Sequence, residues 1–142
     1  MQTVNEVLSR KGRQVWTIDP DATVFDAVRL MAAKDIGALV VMEGAQMLGV
    51  ISEREYSRSV VLLGRSSQDT RVRHIMRTEL PQVGLETEVG LCMALMTDHR
   101  TRHLPVMSGA ELIGLVSLGD LVAAIISEQR QVIDQLSDYI TG

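Results

Sequence analysis

The chain is poor in cysteine, lysine, aromatic residues and long apolar runs, and each shortage removes a class of explanation. Cys92 is the only cysteine, which excludes an internal disulfide framework and a multi-cysteine zinc site and fits a reducing compartment. The longest apolar runs, such as residues 121–126, fall far short of the roughly 20 residues of a membrane span, and the opening MQTVNEVLSRK lacks a signal-peptide hydrophobic region. The expected location is therefore cytoplasmic, with no membrane partner. Fourteen basic against 18 acidic residues give a formal charge of −4 and a pI near 5.3, without the basic field that a nucleic-acid backbone attracts, so no nucleic-acid partner is expected. Lysine occurs only at Lys11 and Lys34, against 12 arginines. That bias suits phosphate or carboxylate sites, although background codon usage accounts for most of the positions. The aromatics are Trp16, Phe25, Tyr56 and Tyr139 alone, so the core must be aliphatic and Met-rich. At 142 residues, 46% hydrophobic and 23% charged, the chain has the size of one ordinary domain, neither a multidomain enzyme nor a disordered segment.

What the chain does contain is a duplication. A shift of 65 residues lays 18–61 on 83–126 without a gap, and ten of the 44 positions are identical. The matches include Val24 with Val89, Met31 with Met96, Leu39 with Leu104, Gly49 with Gly114 and Ser52 with Ser117. Other pairs, such as Val28 with Met93, Leu48 with Ile113, Val50 with Leu115 and Ile51 with Val116, are apolar on apolar, so the halves share a burial pattern as well as residues. Upstream, Val4, Val7 and Leu8 echo Val72, Ile75 and Met76. The expected organisation is a first repeat with its N-terminal segment at 1–63, a polar linker at 64–70, a second repeat at 71–127 and a helical extension at 128–142. Two copies are too few for a solenoid and must bury their apolar faces against each other.

Each unit reads strand, helix, strand, strand, helix. Residues 15–18 are short and β-prone, and Thr23 with Asp26 resembles a capping box opening a helix that runs to about Lys34. Val24, Ala27, Val28 and Met31 form one apolar stripe, which Val89, Cys92, Met93 and Met96 repeat. Cys92 is then a small core residue with no reactive role. Residues 38–42 and 47–52 read as a β-hairpin, repeated at 104–107 and 112–117, and their continuous apolarity implies burial on both faces. The last helix, from Leu118 to about Ile140, overhangs the repeat with an apolar stripe that must fold back or meet a second subunit.

At the junction of hairpin and second helix stand Ser52-Glu53-Arg54-Glu55 and Ser117-Leu118-Gly119-Asp120. Ser with an acid three residues on is a capping box, worth about 1 kcal/mol and common in proteins with no ligand. The same helix start presents free N–H groups and the positive end of the dipole, which suit a phosphate, and a carboxylate one turn in can accept both hydroxyls of a ribose. Residue types alone favour the cap, while the spacing permits a nucleotide.

The repeat length, the element order, and the pieces Thr17-Ile18-Asp19-Pro20-Asp21-Ala22-Thr23-Val24, Arg102-His103-Leu104-Pro105-Val106 and Gly-x-x-Ser-x-x-Asp resemble a tandem pair of CBS domains, named after cystathionine β-synthase. The likeness extends from about Thr3 to Ser127 and is to the small stand-alone bacterial CBS-pair proteins. It implies an α/β (α+β) fold of two βαββα repeats packed by pseudo-two-fold symmetry, followed by a long C-terminal helix. It also implies a non-catalytic regulatory or sensor module whose clefts between repeats bind AMP or ATP, with NAD or S-adenosylmethionine next, and no catalytic cofactor. By the same resemblance Asp120 is the ribose acceptor, and Ser117 with Leu118 meets the phosphate. Backbone at Pro81, Gln82 and Val83 and at His103, Leu104 and Pro105 lines the adenine, with Arg102 and His103 near the ligand's polar end. A second site would comprise Thr17, Ile18, Gly37, Ala38, Leu39, Ser52, Arg54 and Glu55. There Glu55 stands for the family's Asp and Val40 for Pro105, so weaker or different binding is expected.

Other constellations carry less. His103, Ser117 and Asp120 have the residue types of a hydrolytic triad but no nucleophile-elbow pattern. His74, His99 and His103 match no compact metal-ligand spacing, so no metal is expected and surface positions are. Arg71, Arg73, His74 and Arg77 form a basic cluster that reads as a solvated face or a contact for a phosphate tail or acidic partner. The expected partners are an adenine nucleotide, a second copy forming a homodimer through CBS faces and the C-terminal helix, and a regulated protein. The alternative is a constitutive interaction or dimerisation module without a ligand.

Overall fold

The structure, a computed structural model, describes residues 2–141. Met1 and Gly142, the outer ends of the expected first repeat and C-terminal extension, lie outside the described residues. The elements run α1 (Val4–Lys11), β1 (Thr17–Ile18), α2 (Val24–Lys34), β2 (Ala38–Glu43), β3 (Gln46–Ser52), α3 (Glu53–Tyr56), α4 (Val89–His99), β4 (His103–Ser108), β5 (Glu111–Ser117) and α5 (Leu118–Thr141). A π-helical turn, Ser57–Val61, prolongs α3, and a 3-10 turn, Val72–His74, follows the linker. No helix among the described residues is long and apolar enough to cross a membrane.

The strand-helix-hairpin-helix order appears twice, in the same register. β1 pairs in parallel with β2, Thr17 opposite Val40 and Ile18 opposite Val41, and β2 pairs antiparallel with β3. In the second copy Val83 alone bridges Val106 in parallel, 65 residues on from the Ile18–Val41 pair. β1 is shorter than its β-prone sequence, because only Thr17 and Ile18 lie in ladder register while Trp16 adds just its carbonyl, accepting the Val40 N–H at 3.1 Å. At the start of α2 the Thr23 hydroxyl accepts the Asp26 N–H at 3.1 Å, the first half of the expected capping box. α2 and α4 end alike, in left-handed residues Asp35 (φ 53°) and Arg100 (φ 50°). The next N–H groups, of Ile36 and Thr101, return to the carbonyls of Met31 and Met96, each at 3.0 Å.

Two compact units form, and they are not the two sequence repeats. One comprises the chain up to Arg13, Pro81–Ser108 and everything from Ile113; the other comprises Gln14–Leu80 with Gly109–Leu112. Helix α1, which the sequence reading places with the first repeat, contributes Val4, Val7 and Leu8 to a core with Val89, Cys92, Met96, Leu104, Val106, Val116 and Leu121. Val72 and Ile75 join Val24, Ala27, Met31, Leu39, Val41 and Ile51 in the other core. The upstream echo now has a physical meaning: each upstream segment completes one core, and the pieces are exchanged. Matching bridges mark the exchange, Thr3 with Glu88 in one unit and Arg71 with Thr23 in the other. The identical pair Gly49 and Gly114 makes room for it. A Cβ on Gly49 would overlap the Arg77 carbonyl oxygen, and one on Gly114 would lie 2.9 Å from Leu8 Cδ1.

Cys92 is fully buried and burial pushes its thiol pKa up, in keeping with a packing role. In α5 only Leu121 and Ala124 are fully buried; from Glu128 to Thr141 every residue is exposed, with Ile133 at 63% and Tyr139 at 87%. Of the two expected fates of the overhang, folding back is therefore not the one observed.

Candidate functional site

β5 hands over to α5 at Ser117. Ser117 Oγ accepts the Asp120 N–H at 3.1 Å, and Asp120 Oδ2 accepts the Ser117 N–H at 2.8 Å. The box is complete, and it engages the Ser117 hydroxyl as a cap. The next N–H, of Leu118, donates to the Arg102 carbonyl at 2.9 Å, tying the helix start to the residue before β4. Val83 donates to the Pro105 carbonyl at 3.1 Å and accepts from Met107 at 2.8 Å. Thus Pro81, Gln82, Val83, Arg102, His103, Leu104, Pro105, Ser117, Leu118 and Asp120 all fall in one unit. The side chains of Val83, Leu104 and Pro105 are buried, while Gln82 and Arg102 are exposed.

One site residue has no motif to announce it. Lys11, at the end of α1, places Nζ 2.5 Å from Asp120 Oδ2 and 2.6 Å from the Leu115 carbonyl. In the other repeat the equivalent carbonyl, of Val50, accepts the Arg77 N–H at 2.9 Å. Val7, Arg10, Lys11, Asp120, Ala123 and Ala124 line an open cavity of about 200 Å³ beside this pair. Burial by itself would raise the Asp120 pKa; hydrogen bonds from the Lys11 ammonium and the Ser117 N–H outweigh it and hold the carboxyl below its usual range. His103 is half-buried, which corrects the surface position expected for it. Burial, reinforced by the Lys11 charge, lowers its pKa to about 4, so the ring is neutral at pH 7.

The first-repeat set, Thr17, Ile18, Gly37, Ala38, Leu39, Ser52, Arg54 and Glu55, gathers in the other unit but is organised differently. Glu53 N–H donates to the Gly37 carbonyl at 3.1 Å, the counterpart of the Leu118–Arg102 bond. Glu55, however, is buried at 8% exposure, and its longer side chain turns both oxygens onto Ser52, accepting the N–H at 3.2 Å and the hydroxyl at 3.0 Å. Burial raises its pKa against the lowering effect of those bonds and of Arg77 and Arg54. Ala38 and Leu39 are core residues of β2.

Among the described residues no three His, Cys, Asp or Glu side chains gather as metal ligands. The basic cluster is spent on structure: Arg73 pairs with Asp21 at 2.8 Å and Glu43 at 3.6 Å, and Arg71 donates to the Asp21 carbonyl at 2.5 Å.

A family model for the CBS domain matches residues 4–61 and again residues 72–127. CBS domain-containing protein CBSX3, mitochondrial, of Arabidopsis thaliana is 41% identical, the match covering 99% of this chain and 72% of that protein. CBS domain-containing protein YhcV of Bacillus subtilis is 33% identical, over 82% of each chain. A solved protein with CBS domains from Burkholderia ambifaria is 46% identical with a TM-score of 0.86, over 90% of this chain and 96% of that one.

Proposed function

Because this chain belongs to the CBS-domain family, we propose that it is a non-catalytic sensor binding an adenosine ligand at the Ser117–Asp120 helix start. CBS pairs are regulatory modules that typically bind adenosine ligands. Within that class, AMP or ATP is the first expectation and NAD or S-adenosylmethionine the next. The observation that supports the reading is the state of Asp120: a carboxylate held ionised at a helix start, with a side chain 23% exposed beside an open cavity. Such a group can accept from a vicinal diol, and the positive end of the α5 dipole beside it suits an anion. Glu55, buried and turned onto Ser52, makes the first-repeat site the weaker one.

A ligand regulates only through its differential affinity for two arrangements of the protein, so the output needs a surface that another molecule reads. The exposed stripe of α5, with Val132, Ile133, Leu136, Tyr139 and Ile140, supports a homodimer as that assembly. The single buried cysteine supports the reducing cytoplasm as its compartment.

Thermal unfolding with and without AMP, ADP, ATP, NAD and S-adenosylmethionine tests the reading. A ligand at about 100 times its Kd adds roughly 2.7 kcal/mol of stability. We expect one or more of these ligands to raise the melting midpoint and Asp120→Ala to abolish the rise. No shift for any ligand in nucleotide-free protein would overturn the sensor reading in favour of a constitutive interaction module, and turnover of ATP or NAD by the pure protein would contradict the non-catalytic one.

A further inference from the structure

We propose that Lys11 makes this site select phosphorylated over uncharged adenosine ligands: its ammonium holds Asp120 and passes to the ligand's phosphate when the ribose takes the carboxylate. The inference rests on the adenosine reading of the same site and adds to it the ligand's charge and the residue that reads it.

Asp120 Oδ2 already accepts two donors, the Ser117 N–H at 2.8 Å and Lys11 Nζ at 2.5 Å. A carboxylate oxygen has about two good acceptor directions, so a ribose diol that places one hydroxyl on each oxygen finds Oδ2 filled and displaces one of its donors. The Ser117 N–H is fixed by the capping box and cannot leave without unwinding the start of α5. Lys11 can. Its backbone is anchored by α1, whose Val4, Val7 and Leu8 are buried in the core. Its four-carbon stem is flexible, its side chain is 32% exposed, and the cavity it lines gives the ammonium room to swing.

Displacement leaves the ammonium short of its strongest partner. The Leu115 carbonyl at 2.6 Å is neutral, and Arg10 on the same cavity adds a second positive charge, already donating to Gln2 Oε1. A cation moved off its carboxylate costs binding energy unless an anion replaces it. A phosphate on the 5′ side of the ribose supplies that anion. Adenosine has none, and S-adenosylmethionine carries a sulfonium at the 5′ position, so both must displace Lys11 without a new phosphate partner for it. AMP, ADP and ATP regain an ion pair that their nucleoside cannot.

The test is calorimetric titration of the full chain with AMP and with adenosine, for wild type, Lys11→Met, Lys11→Gln and Lys11→Arg. Wild type should bind AMP at least about ten-fold more tightly than adenosine, the scale of one charge-assisted hydrogen bond. Lys11→Met should bring the ratio near one by tightening adenosine and weakening AMP. Lys11→Gln, which keeps a neutral donor for Asp120, should lose the preference as well, and Lys11→Arg should restore it. A purely structural Lys11 would shift both affinities together. Retention of the wild-type ratio in the two neutral variants would therefore overturn the role of Lys11 while leaving adenosine binding intact. Wild type binding adenosine as well as AMP would overturn it equally. If wild type binds neither, this inference falls, while the adenosine reading is decided by the melting series with ADP, ATP, NAD and S-adenosylmethionine.

Discussion

Gly49 lies where the Arg77 backbone crosses β3: Val50 and Arg77 exchange N–H···O bonds of 3.0 and 2.9 Å, and a Cβ on Gly49 would occupy the place of the Arg77 carbonyl. Gly114, its counterpart, is crossed only by the Leu8 side chain, at 2.9 Å from such a Cβ. Backbone cannot yield as a leucine methyl can. Gly49→Ala should therefore cost about 3 kcal/mol of unfolding free energy and Gly114→Ala about 1 kcal/mol, read as a difference in urea midpoints. Equal costs would show that the Arg77 segment moves freely away from β3.

Leu8 and Cys92 share a core although 84 residues separate them in the chain. Leu8→Ala should destabilise by about 2–5 kcal/mol through the cavity it leaves. The lone thiol reports the effect directly. Cys92, fully buried, should react with a thiol reagent many-fold faster in Leu8→Ala, whereas Val60→Ala, in the other core, should leave that rate nearer to wild type.

Acid should loosen the fold through His103. Its folded pKa near 4 lies below the unfolded 6.5, so the folded state binds its proton later than the unfolded chain does. The stability this represents is full above about pH 6.5 and is lost as pH falls through 4, about 3 kcal/mol. Glu55, with a raised pKa, takes up a proton earlier in the folded state and works in the opposite direction. The specific check is His103→Gln: its midpoint should vary less between pH 7 and pH 4.5 than that of wild type.

Removing residues 128–141 should abolish self-association while lowering the melting midpoint by only a few degrees, since those residues are exposed throughout. Sedimentation and calorimetry on the two lengths separate the effects. A truncated chain that still dimerises would move the interface elsewhere.

Much of this was legible in advance, for a definite reason. The duplication exposes itself because identical positions such as Met31 and Met96, or Leu39 and Leu104, do the same job in two cores. The paired Ser-x-x-acid boxes are local, so three residues of sequence suffice to see them. The exchange of upstream segments is a choice between two equivalent partners, and pattern matching does not say which copy Val4 and Leu8 enter. Lys11 is farther from view still, because its partner Asp120 is 109 residues away and a single lysine at a helix end has no signature beyond its rarity. The contrast between Glu55 and Asp120 is visible in the sequence as one methylene; that the methylene turns both oxygens onto Ser52 depends on the burial of Glu55, which no local pattern encodes.

The exchange of α1 also bears on how the molecule can be taken apart. A nick in the polar linker at 64–70 would not release two self-sufficient halves. The N-terminal fragment would carry away Val4, Val7 and Leu8, on which the second repeat closes its core, and the C-terminal fragment would keep Val72 and Ile75, on which the first one does. Each half holds the missing piece of the other, the arrangement that lets separately made fragments reconstitute when mixed. The two repeats are thus mutually dependent parts, each closing its core with a segment from the other's side of the linker.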